Sequence, residues 1–81
     1  MSRLELEGML HRLRAERFEL TTRADAKIKG IKALLNMSAI TPVDEIDIEG
    51  VHALAAELLA VKQQMLENLG KAKKIEKELN G

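Results

Sequence analysis

Apolar residues at Leu6, Leu10, Leu13, Leu20, Ala24, Ile28, Ile31 and Leu35 recur at spacings of three and four, the rhythm of one face of a helix. Arg17 stands in the slot between Leu13 and Leu20. The steps Leu20, Ala24 and Ile28 add an extra interval of four, which predicts a local relaxation of coiled-coil twist. The second half is more regular. Val51, Leu54, Leu58, Val61, Met65, Asn68, Ala72, Ile75 and Leu79 alternate steps of three and four without a slip, a heptad seam with one polar member, Asn68. The pattern predicts two long helices.

Between them lies NMSAITPVDEIDIEG, residues 36–50, which contains the only proline of the chain. Thr41-Pro42-Val43-Asp44 reads as a helix start, with Thr41 as N-cap and Pro42 at the first helical position. Asn36 suits the left-handed conformation that often ends a helix. Gly50 leaves a second possibility, a short first turn followed by a restart at Asp47. The expected organisation is one domain over residues 1–81: helix 1 about 3–37, turn about 38–41, helix 2 about 42–79. Two helices joined by so short a corner must run antiparallel. The fold class is therefore all-α, a coiled-coil-like helical hairpin.

Composition strengthens this picture. Hydrophobic residues make up 46% of the 81, yet Phe18 is the only aromatic, and the apolar set is otherwise Leu, Ala, Ile, Val and Met. That bias favours helix over sheet, because straight-chain residues lose little rotamer freedom in a helix. The hairpin seam is expected to contain Leu13, Leu20, Ile28 and Ile31 of helix 1 against Val51, Leu54, Leu58, Val61, Met65 and Ile75 of helix 2. In a hairpin turning near residue 41, Arg17 comes level with the segment Met65 to Asn68. Arg17 and Asn68 are thus candidates for a buried polar layer that fixes register at a cost in stability.

Helix 2 is apolar well beyond its seam, through Ala55, Ala56, Leu59 and Leu66, and helix 1 adds Phe18. A hairpin has one interface, so a wider apolar stripe calls for another neighbour. These five residues are the expected oligomer interface, and the economical occupant is a second copy, giving a four-helix bundle dimer.

Thirteen basic and thirteen acidic residues give zero formal charge, so no global field draws the chain toward nucleic acid or anionic lipid. The basic residues Arg12, Arg14, Arg17 and Arg23 scatter around helix 1, with no aromatics interleaved to stack on bases. The acidic block Glu45, Asp47, Glu49 and Gly50 mimics the opening of a calcium loop, but the twelfth position, where a bidentate Glu is needed, is Ala56. Carboxylates there suit the first turns of a helix instead, as Lys71, Lys73, Lys74 and Lys77 suit its last turns. Pairs at i,i+4 (Glu19 with Arg23, Asp25 with Lys29, Glu67 with Lys71) add local support.

Without cysteine, thiolate zinc sites, disulfides and thiol nucleophiles are excluded. The two histidines, His11 and His52, fall on different arms, and no phosphate-cradling loop or HExxH is present. No catalytic, cofactor or metal site is expected. The opening MSRLELEGMLHRLR lacks a signal-peptide core and VHALAAELLAV is too short to span a bilayer, so a cytoplasmic protein without a membrane role is expected. The functional expectation is a non-enzymatic homo-oligomeric association module, structural or regulatory, of the accessory kind common in phages and mobile elements. A nucleic-acid-associated regulator on the same dimer, or an adaptor or chaperone for another protein, are the alternatives.

Overall fold

The computed structural model describes residues 1–36 and 40–81. Two α-helices, α1 (Arg3–Leu35) and α2 (Ile48–Asn80), each 33 residues long, pack against each other, with a short 3-10 turn at Val43–Glu45 between them. No strand occurs among the described residues. The hairpin measures 60 × 15 × 14 Å, close to the length expected of arms rising about 1.5 Å per residue plus the corner.

Both helices start on side-chain caps. The Ser2 hydroxyl accepts the Glu5 backbone N–H at 3.2 Å and donates to the Glu5 carboxylate at 3.1 Å, a variant of the capping box. In α2 the cap is Asp47, whose carboxylate accepts the Gly50 N–H at 2.9 Å. Thr41 is therefore not the N-cap and helix 2 does not begin at residue 42: Pro42 and Ile46 are extended, and the restart at Asp47 is the conformation adopted. The reason is tertiary. Cross-helix contacts join Gly30 to Leu54, Lys27 to Glu57 and Glu16 to Asn68, so the end of α1 near residue 36 lies level with residue 48. A helix begun at residue 42 would project about 9 Å past its partner with nothing to pack against. Asn36 ends α1 in right-handed geometry (φ −61°, ψ −25°), not the left-handed one. The expected end of helix 1 at 37 and the first part of the expected turn at 38–41 lie outside the described residues.

The seam of α2 keeps every predicted position: Val51, Leu54, Leu58, Val61, Met65, Asn68, Ala72, Ile75 and Leu79 are all buried or half-buried. The seam of α1 differs from the expected one. Its inward positions are Leu6, Leu10, Leu13, Arg17, Leu20, Ala24, Lys27, Ile31 and Leu34, an unbroken alternation of four and three. Ile28, expected in the seam, is 37% exposed at its edge, and Leu35 is likewise exposed. The extra four-residue step is absent because keeping it would rotate the following turns away from α2. Lys27 fills the slot at little cost: its stem lies half-buried while the ammonium reaches Glu57 at 3.4 Å.

At the open end of the hairpin Leu6, Leu10, Ala72 and Ile75 form a buried cluster with Met9, Leu13 and Leu79 packed against it. There Arg3 also donates to the Leu79 carbonyl at 3.4 Å, tying the start of α1 to the end of α2.

Candidate interaction surface

Asn68 and Arg17 both lie in the seam, but they do not bond each other. Asn68 is 1% exposed, the most buried side chain among the described residues. Its amide nitrogen donates to the Leu13 carbonyl at 2.9 Å and to the Glu16 carboxylate at 3.1 Å. Arg17 sits half-buried one turn along, and its Nε has no partner; neither has the Asn68 Oδ1. The layer is therefore Asn68 bonded to backbone and Glu16, beside an Arg17 whose stem packs in the seam. Each unpartnered buried polar atom costs about 1–3 kcal/mol, so the layer is a local expense in an apolar interface.

The apolar surface is more ordered than its composition suggests. Eight large apolar side chains within the helices are exposed: Leu4, Phe18, Ile28 and Leu35 on α1, and Ile48, Leu59, Leu66 and Leu69 on α2. Six of them follow a seam position by a single residue, and Leu4 and Ile48 continue the same spacing by one step beyond the ends of the seam. One residue is about 100° of rotation on a helix, so on each arm these side chains form a stripe beside the seam. Because the arms run antiparallel, the sense of that rotation carries both stripes to the same side of the hairpin. A groove lined by Thr21 and Ala24 of α1 and by Lys62, Met65 and Leu66 of α2 joins the two stripes across the seam. Phe18, 75% exposed, is level with Leu66, 57% exposed, and Leu35 with Ile48.

The other side of the hairpin is polar. There Glu16, Glu19, Arg23, Gln64, Glu67 and Lys71 line one groove; toward the open end Arg12, Lys71 and Lys74 rim a second, shallow one of about 550 Å³ whose floor, Met9, Leu13 and Ile75, is apolar. The hairpin is thus two-faced. Of the expected interface residues, Phe18, Ala55, Leu59 and Leu66 belong to the apolar face; Ala56 instead points away from the seam, on the outer edge of α2. Leu4, Ile28, Leu35, Ile48 and Leu69 complete the face. Their common signal, a place one residue after the seam, becomes readable only once the seam of α1 passes through Lys27 and Leu34; the same stripe also holds polar residues, Glu7, Arg14, Asp25 and Lys32 on α1 and Lys62, Lys73 and Glu76 on α2.

Chemically active constellations are lacking among the described residues. No group of three or more metal-ligating side chains is assembled, and no helix is long and apolar enough to cross a membrane. His11 and His52 are exposed on separate arms. Ion pairs join Arg3 to Glu7 at 3.1 Å and Lys29 to Asp25 at 2.9 Å, both exposed. The hydrogen bond and charge of Asp25 raise the Lys29 pKa above its ordinary value.

The fold and surface together define an all-α helical hairpin whose exposed large apolar helix residues lie on one side, interspersed with charges. No family model, curated protein or solved structure matches the chain.

Proposed function

We propose that this protein is a small non-enzymatic association module that homodimerises through its apolar face, as a structural or regulatory accessory protein. The observation that carries the reading is the collection of all eight exposed large apolar helix residues on one side of the hairpin. Scattered exposed apolar residues are ordinary on a protein surface, whereas a contiguous patch marks an interaction site. A side of 60 × 15 Å offers a footprint of roughly 900 Å², comparable with the ~800 Å² per partner of a standard interface. The hairpin also has a thin core of its own, six buried apolar residues, so a second layer of helices supplies burial that a single seam does not.

Sedimentation equilibrium at micromolar protein is the test. The expected mass is twice the 9.0 kDa of the chain, with a melting temperature that rises with protein concentration. A monomer whose melting is independent of concentration overturns the reading and leaves the apolar face to a foreign protein.

A further inference from the structure

The apolar face also carries charges, and their order along α1 specifies how two copies meet. From the open end toward the corner they run Glu7, Arg14, Asp25 and Lys32: minus, plus, minus, plus; Glu7 and Asp25 each also pair with a neighbour on their own helix, Arg3 and Lys29, and α2 adds Lys62, Lys73 and Glu76 to the face. Two hairpins stacked face to face about a two-fold axis have two arrangements. In one the corners lie together and each α1 crosses over the partner's α2. In the other the corners lie at opposite ends and each α1 stacks on the partner's α1.

With corners together, symmetry leaves no freedom to slide, because the levels of the two arms are already fixed within each hairpin. Contacts within the hairpin join residues whose numbers add to 81–84. Glu7 then meets the partner's Glu76, Arg14 meets the partner's Leu69 and Asp25 meets the partner's Leu59. Like charges oppose, and no charge meets one of opposite sign.

With corners apart, an axis crossing α1 between Phe18 and Thr21 brings Glu7 level with the partner's Lys32 and Arg14 level with the partner's Asp25. Leu4 then meets the partner's Leu35, and on α2 Leu59 meets the partner's Leu69, while Lys62 and Lys73 fall beside the partner's Leu66 and the partner's Ala55 with their long stems free to carry the ammonium groups to the rim. Symmetry makes each contact twice. Sliding by one heptad in either direction sets Glu7 against the partner's Asp25, or Arg14 against the partner's Lys32, and both are repulsive. One register out of three satisfies the charges, and it is also the one that overlaps the hairpins along nearly their full length.

Resting on the homodimer reading above, we infer that the dimer is an antiparallel stack of hairpins with corners at opposite ends, its register set by Arg14–Asp25 and Glu7–Lys32 pairs between copies. Rim charges of this kind add little to affinity and instead select orientation by penalising the wrong one.

The chain has no cysteine, so Val43→Cys places a single spin label on the exposed corner. Pulsed electron paramagnetic resonance on the dimer is expected to give an inter-label distance of about 60 Å, from some 40 helical residues at about 1.5 Å each. A distance below about 30 Å puts the corners together and overturns the inference while leaving the dimer intact. A monomeric protein with no inter-label distance overturns the dimer itself. In the second arm, Arg14→Glu is expected to raise the dissociation constant about tenfold, and adding Asp25→Arg to the same chain to restore it within about threefold. Failure of that rescue overturns the register.

Discussion

Replacing Asn68 by Leu is expected to make the protein more stable. Asn68 makes two hydrogen bonds, at 2.9 Å to the Leu13 carbonyl and 3.1 Å to Glu16, and losing them forfeits about 1 kcal/mol each. Neither acceptor is stranded. The Leu13 carbonyl keeps its bond within α1, and Glu16 is exposed and turns to water. Against that loss stand two gains. The unpartnered Oδ1, buried with the rest of a side chain only 1% exposed, disappears, recovering about 2 kcal/mol. A buried Leu contributes about 2 kcal/mol from apolar area. The net is about +2 kcal/mol, and since 1 kcal/mol moves the melting temperature of a domain this size by about 4–8 °C, a rise of about 10 °C is expected. Adding Arg17→Leu removes the second unpartnered atom and raises it further, while loosening the choice of assembly state that a buried polar side chain enforces. Circular dichroism melting at one fixed protein concentration, with size-exclusion chromatography alongside, measures both. If Asn68→Leu melts at or below the wild-type temperature, the two hydrogen bonds outweigh the desolvation of Oδ1 and the polar layer is a net source of stability.

Leu59→Glu combined with Leu66→Glu is expected to halve the sedimenting mass while sparing the seam, since both side chains are more than half exposed in the hairpin. A dimer that persists at micromolar concentration refutes the assigned face. Asp47→Ala removes the cap on the Gly50 N–H and is expected to cost about 1 kcal/mol; chemical denaturation of Thr41→Ala, by contrast, is expected to be nearly unchanged. Gly8→Ala and Gly70→Ala place a Cβ that meets nothing within 4 Å, so each is expected to add about 1 kcal/mol of helix propensity. Gly30→Ala is expected to gain less, because its Cβ meets the Leu54 side chain at 3.0 Å. Fluorescence anisotropy with duplex DNA and stem-loop RNA near physiological salt is expected to show no submicromolar binding; salt-dependent tight binding to either would instead assign the charged face to nucleic acid.

The sequence by itself determined that this chain is two helices, and it determined the whole seam of α2. An uninterrupted heptad permits one inward face, and period-2 runs that would suggest sheet are missing. It also placed Arg17 and Asn68 near each other in the seam, because antiparallel arms joined by a short corner leave little freedom in pairing, although the partners Asn68 takes are Leu13 and Glu16. What only the tertiary structure decided are the positions where local preference and packing disagree. Thr41 followed by Pro42 is as good a helix start as Asp47, and the choice between them rests on where α1 ends, since a helix gains little from turns that have no partner. Ile28 is more apolar than Lys27, yet the seam passes through Lys27 because the seam of α2 is regular and a long aliphatic stem serves nearly as well as a branched one. That single substitution in the seam decides which residues lie one step beyond it. Hydrophobicity along the chain reveals how much apolar surface is left over, but its gathering on one side depends on the mutual rotation of the two helices, which is set by the packing between them.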